Sequence, residues 1–147
     1  MDKYVFFWKT MELCDWDKAG DDMMVLEPVI DYLSRQSDRK IHMFHNQMNE
    51  LLHALDTRAL AEQCNRTYEK ANDDTFLYSR CVALINGPEY YAKAKAGLET
   101  GLWTMEFEAV LYVPCRAWAR KHGKEAECYS YMPRISCETG SNQKGWA

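Results

Sequence analysis

The sequence predicts an all-α fold: a single-domain bundle of about six to seven helices that ends in an irregular C-terminal strap. The length of 147 residues favours one domain. Apolar residues make up 47% and charged residues 27% of the chain, which is typical of a globular protein. Apolar side chains recur at helical spacing through residues 1–123 but not through residues 124–147. We therefore predict one domain, residues 1–147, made of a helical body and an extended strap.

The first two helices are indicated by apolar stripes with a polar loop between them. A first helix is predicted over residues 3–14, capped by Asp2, with a core face formed by Tyr4, Phe7, Trp8 and Met11. A second helix carries Val29, Ile30 and Leu33 and ends near Gln36. Pro28 either opens this helix at its first turn or kinks it.

The middle of the chain predicts three further helices, each preceded by a capping residue. The third helix follows Ser37-Asp38, and its stripe comprises Ile41, Phe44, Met48, Leu51, Leu52 and Leu55. Asp56-Thr57 caps the fourth helix, whose apolar face comprises Leu60, Cys64 and Tyr68. Asn72 caps the fifth, which ends at Asn86-Gly87-Pro88 with Gly87 in a left-handed conformation.

The helical body is predicted to end with one short and one long helix. Pro88 opens the short helix, which contains Tyr90 and Tyr91. The long helix runs from Trp103 through Trp118, kinks at Pro114 and ends at His122-Gly123. After it, the strap contains aromatic side chains that a free linker would not carry, so we expect it to dock on the body through Trp146.

The charge and the cysteine content of the chain indicate which partners and which cellular compartment to expect. The net charge of −4 argues against nucleic-acid binding, which needs a basic surface. Residues 1–113 carry a net charge of −7 and residues 114–147 of +3, so the two parts either complement each other or form a basic docking surface. No run of 18 apolar residues predicts a membrane span, and the N-terminus is a poor secretory signal. Six cysteines without a C-x-x-C pair are then expected to be reduced thiols of a cytoplasmic protein.

No metal or cofactor site is predicted. Asp15, Asp17 and Gly20 match positions one, three and six of a calcium loop, but Ala19 and Leu26 occupy positions that need oxygen ligands. A solvated loop that caps the second helix explains these residues better. Phosphate-binding glycine loops, nucleophile elbows and dinucleotide fingerprints are not found in the sequence.

One polar group of residues is the candidate site. Asp73 and Asp74 form the best carboxylate pair, and Arg80 follows seven residues after Asp73, two turns up the same helix face. These residues form either the floor of a polar pocket or a helix N-terminus with a structural ion network. Ser141 and Asn142 lie in the strap, which either pins the fold or covers such a pocket.

Several segments resemble one family. They are Phe7-Trp8, residues 72–80, residues 83–87, residues 107–112 and Glu138-Thr139-Gly140-Ser141-Asn142. Together they are similar to the bacterial domain-of-unknown-function family four-two-four-zero (DUF4240). The resemblance implies a small, mainly helical, intracellular protein and supplies no mechanism.

These observations favour a non-catalytic cytoplasmic module that binds another protein and acts neither on nucleic acid nor at a membrane. The alternative is a small hydrolase or ligand-binding protein with a polar pocket around Asp73, Asp74 and Arg80. A cleft in which these three side chains converge would favour the alternative. The sequence leaves the partner and the oligomeric state open.

Overall fold

A computed structural model describes residues 3–67 and 71–147. Within these residues all regular structure is helical, with eight α-helices, four short 3₁₀ helices and no strand, which confirms the predicted fold class. The α-helices are α1 (Val5–Met11), α2 (Asp22–Ser34), α3 (Asp38–Ala54), α4 (Arg58–Thr67), α5 (Asp73–Ile85), α6 (Gly87–Lys95), α7 (Val113–His122) and α8 (Gln143–Trp146). The eighth helix, beyond the six or seven predicted, is the short α8 of the strap.

The chain divides into two compact units. Unit 1 comprises Met1–Gln47 and Ala109–Arg134, and unit 2 comprises Met48–Glu108 and Ile135–Ala147. Helix α3 contributes residues 38–47 to unit 1 and residues 48–54 to unit 2.

Unit 1 is built on α2, which packs against α7 and α1. The cap of α2 is Asp21, whose carboxylate accepts a hydrogen bond from the Met24 N–H, as the predicted capping loop requires. Val25, Leu26, Val29, Ile30 and Leu33 of α2 are fully buried. The residues 129–134 of the strap run along α3, where the backbone N–H of Arg134 donates to the side-chain oxygen of Asn46.

Unit 2 is built on α5, which packs against α6 and the 3₁₀ helix Gly101–Thr104, while α4 packs against α8. Asn72 caps α5, since its side-chain oxygen accepts from the Thr75 N–H. Gly87 has φ +90°, in the left-handed region, which confirms its predicted role at the end of α5. The predicted stripe of α3 is buried along its whole length, from Ile41 to Leu55.

The prediction of one long last helix is wrong. The segment instead forms the 3₁₀ helices Gly101–Thr104 and Glu108–Tyr112, followed by α7. Pro114 lies in the first turn of α7, where its missing N–H costs no hydrogen bond, so it starts a helix rather than kinking one. Trp118, on the apolar face of this helix, is half-buried rather than fully buried.

Other boundaries also differ from the prediction. Helix α1 is shorter than residues 3–14, and Pro28 lies inside α2 because the Asp21 cap starts the helix a full turn and a half earlier. The predicted cap Asp2 and the core residue Tyr68 lie outside the described residues. Across residues 3–67 and 71–147, none of the helices combines the length and the apolar character that a membrane span requires.

Candidate functional site

The predicted carboxylate pair lies at the start of α5. Asp73 and Asp74 are both exposed in the first turn, directly after the Asn72 cap, where the helix dipole stabilises negative charge. The backbone carbonyl of Asp73 accepts a hydrogen bond of 2.8 Å from the hydroxyl of Thr139 in the strap. The favourable interaction of two carboxylates with the N-terminus of α5 therefore explains why Asp73 and Asp74 occur at these positions.

Arg80 is fully buried. Its Nη1 donates to the Leu52 carbonyl at 2.9 Å, and its Nη2 donates to the Thr139 hydroxyl at 3.0 Å. The guanidinium lies over the Phe76 ring, 4.6 Å from the centroid. Burial lowers the pKa of Arg80, and the nearby Asp56 carboxylate opposes that shift. These contacts direct Arg80 toward α3 and the strap.

The predicted cap Asp56-Thr57 of α4 is correct for Thr57 and wrong for Asp56. The cap of α4 is Thr57, whose hydroxyl accepts from the Leu60 N–H. The fully buried Asp56 carboxylate instead accepts three hydrogen bonds from the strap. The donors are the Gly140 N–H at 3.0 Å, the Asn142 N–H at 3.0 Å and the Trp146 indole N–H at 2.8 Å. We call these four residues the Asp56 cluster.

The remaining predicted site residues lie in the strap and bond within unit 2. Asn142 donates through its amide to the His53 carbonyl and accepts from the Gly145 N–H. The Ser141 hydroxyl donates to the Ser136 carbonyl at 3.2 Å. Of the five predicted residues, Asn142 donates to Asp56, and Arg80 interacts with Asp56 electrostatically. The hydrogen bonds of Asn142 attach the strap to the body of unit 2.

Unit 1 holds a pocket that the sequence did not predict. Its volume is about 240 Å³, and we call it the aromatic pocket. It is lined by Asp38, His42, Trp118, Tyr129, Ser130 and Tyr131. The Tyr131 ring stacks on His42 at 3.9 Å with an interplanar angle of 5°, and its hydroxyl accepts from the Asn46 amide at 2.7 Å. Tyr129 meets Trp118 edge-on at 5.8 Å. The rings therefore hold one another in defined orientations.

The charged corner of the aromatic pocket is Asp38, at the start of α3. Its carboxylate accepts from the Lys121 ammonium at 2.7 Å, and the His122 Nε2 lies 2.9 Å from the same oxygen. Hydrogen bonds from Lys121 and then His122 lower the pKa of Asp38, so this carboxylate is ionised at neutral pH. The Lys124 ammonium lies 5.9 Å from the centroid of the Trp118 ring.

A neutral histidine that does not itself line the pocket contacts the lining residue Tyr129. His45 Nδ1 lies 2.9 Å from the Tyr129 hydroxyl. Burial, assisted by the neighbouring His42, lowers the pKa of His45 to about 4, and burial together with Tyr131 raises the pKa of Tyr129. Both groups are therefore uncharged near neutral pH, where their hydrogen bond fixes the Tyr129 ring against α3.

Two residue spacings in the sequence are consistent with this pocket. His42 and His45 are three residues apart, and so share a helix face. Tyr129 and Tyr131 are two apart in an extended segment, so their side chains point the same way. Only tertiary structure brings the two pairs together. Within the described part of the chain, no group of three or more His, Cys, Asp or Glu side chains is arranged to hold a metal ion.

Comparison with known protein families identifies a matching family. The profile of DUF4240, a family described as proteins of unknown function, matches residues 1–120. The strap, with its segment Glu138 to Asn142, lies beyond the matched residues. Comparisons with curated proteins and with solved structures give no significant match. The matched residues include most of the chain, and the protein belongs to the DUF4240 family.

Proposed function

We propose that this protein is a non-catalytic cytoplasmic module that binds another protein through the aromatic pocket. The observation that carries this proposal is the pocket itself, in which Trp118, Tyr129 and Tyr131 line one concavity beside the Asp38 carboxylate. Tryptophan and tyrosine are enriched at the sites that dominate protein–protein binding energies, since each buries a large area at low entropic cost.

The size of the pocket supports a protein partner. Pockets that enclose a whole drug-sized ligand measure roughly 300–1,000 Å³. At about 240 Å³, this one suits a single side chain presented by a larger molecule. The six free cysteines are in keeping with a cytoplasmic location, because reduced thiols persist in that compartment.

The alternative, a hydrolase or ligand-binding protein acting through Asp73, Asp74 and Arg80, has weaker support. Such an enzyme needs the three side chains around one substrate. The guanidinium of Arg80 is instead buried against Leu52 and Thr139, while both carboxylates are exposed at the start of α5.

The test is affinity capture from extract of the native host with three versions of the tagged chain: wild type, Trp118→Leu and Trp16→Leu. Trp16 is a matched control, since it is an indole of unit 1 that is 45% exposed and does not line the pocket. We expect a protein that the wild type and Trp16→Leu both capture and that Trp118→Leu loses. Capture of the same proteins by all three versions, or of none, would contradict the proposal.

A further inference from the structure

We infer that the aromatic pocket receives an alkylammonium group, specifically the lysine side chain, unmodified or methylated, of the partner protein. This inference rests on the proposed function and names the chemistry of its ligand. Three features of the pocket support it. They are the aromatic rings, the Asp38 carboxylate, and two lysine ammonium groups of this chain, one of which contacts a ring while the other contacts the carboxylate.

The ring faces are the first feature. The face of an aromatic ring carries negative electrostatic potential and attracts a cation within about 6 Å of the centroid, with tryptophan the strongest of the three aromatic types. The pocket contains one tryptophan and two tyrosines. Three such rings line one small volume, and any ring face that borders it attracts a cation more strongly than a neutral group of the same shape, especially when the cation is desolvated.

The carboxylate is the second feature. Asp38 lines the pocket and is ionised at neutral pH. Lys121 and His122 contact Asp38 but do not line the pocket, so the charged group that lines it is negative.

The ammonium groups of the chain itself are the third feature. Lys124 lies over the Trp118 ring, and Lys121 bonds to Asp38. Both cation-accepting groups of the pocket are thus already in contact with lysine ammonium groups. Ion pairs and cation–π contacts near the surface are weak, so an incoming ammonium that meets several rings at once can displace these lysines.

Three amino-acid amides serve as probes: Nα-acetyl-trimethyllysine amide, Nα-acetyl-lysine amide and Nα-acetyl-norleucine amide, which is the uncharged control. Binding is measured by titration, following the indole N–H signal of Trp118 in ¹H–¹⁵N spectra, assigned by its loss in Trp118→Phe. We expect at least one lysine probe to bind about tenfold or more tightly than the norleucine probe.

Variants locate the binding. Trp118→Phe keeps an aromatic ring with a weaker face, and Asp38→Asn keeps the shape of the side chain without its charge. We expect each to weaken the lysine probe by about two- to fivefold, followed on other resonances. Asp31→Asn is the matched control, because Asp31 is an exposed carboxylate of α2 that pairs with Arg35 and does not line the pocket. It is expected to leave binding unchanged.

The inference is overturned by norleucine binding as tightly as both lysine probes, or by lysine binding that is indifferent to both Trp118→Phe and Asp38→Asn. Absence of binding by all three probes also overturns it. If the probes fail while Trp118→Leu still loses the captured partner, the ligand class is wrong and the proposed docking site stands. If capture is unaffected as well, both are wrong.

Discussion

Replacing Asp56 with alanine removes the acceptor for three hydrogen bonds from the strap. The carboxylate is fully buried, so alanine at this position leaves the N–H groups of Gly140, Asn142 and Trp146 without the acceptor that holds the strap. Each hydrogen bond to a charged group contributes about 1.5–3 kcal/mol. Because the three share one carboxylate, their contributions do not add. We expect a loss of about 3–5 kcal/mol, the range seen when one partner of a buried ionic network is removed.

Part of this loss comes from Arg80. The guanidinium is fully buried, and the Asp56 charge favours its ionised form. Asp56→Ala leaves that charge without its nearby carboxylate, while Asp56→Asn keeps one acceptor oxygen and the shape of the side chain. We therefore expect Asp56→Asn to be less destabilising than Asp56→Ala. For a chain of about this length, a loss of 3–5 kcal/mol lowers Tm by roughly 6–20 °C.

The assay is urea unfolding followed by circular dichroism, with Tm as a second measurement. Asp73→Ala is the matched control, because Asp73 is exposed and contacts the strap through its backbone carbonyl, which the substitution keeps. It should cost less than about 1 kcal/mol, the size of a charge–dipole contact in a first helical turn. An Asp56→Ala variant as stable as Asp73→Ala would refute the reasoning about the Asp56 cluster.

Three further predictions follow from single residues or from composition. The pKa of His45 is about 4 in the folded chain against 6.5 in the unfolded chain, so the unfolded state binds more protons between these values. The free energy of unfolding should therefore fall by about 2–3 kcal/mol as the pH drops from 6.5 to 4. Urea unfolding at several pH values should show a smaller fall for His45→Gln, and an equal fall in the two proteins would contradict the lowered pKa of His45. Gly145→Ala should destabilise the strap by about 1–3 kcal/mol, because the new Cβ would lie 2.8 Å from a backbone carbonyl oxygen. Gly101→Ala, which meets only a flexible carboxylate, is the control, and equal melting of the two variants would argue against close packing of α8. EDTA should leave Tm unchanged, and a clear fall would reveal a stabilising metal.

The local features of the helices were predictable because their causes are local. Asn72 caps α5 and Gly87 ends it, and both follow from the hydrogen bonds and the backbone angles that these residues favour. The buried stripe of α3 follows from helical periodicity alone. Pro114 shows the limit of this reasoning: a proline can start or kink a helix, and the periodicity on either side did not distinguish the two.

The candidate site was less predictable because its parts are distant in the sequence. Asp56 and Thr57 are both good caps, and nothing local shows that Thr57 caps α4 while Asp56 accepts from donors more than 80 residues away. Likewise, helix geometry predicts that Arg80 shares a face with Asp73 and Asp74, but in the structure its guanidinium donates to Leu52 and Thr139.

The sequence by itself determined the helical class and several caps and helix ends of this protein, because each depends on residues within a few positions of one another. Its membership of the DUF4240 family also follows from the sequence, through similarity over residues 1–120. Tertiary structure alone decided that the tyrosines of the strap meet the histidines of α3, and that Asp56 is enclosed by the strap. The physical reason is that a buried polar group takes whichever partner the packing brings within reach, and that choice is made among residues far apart in the chain.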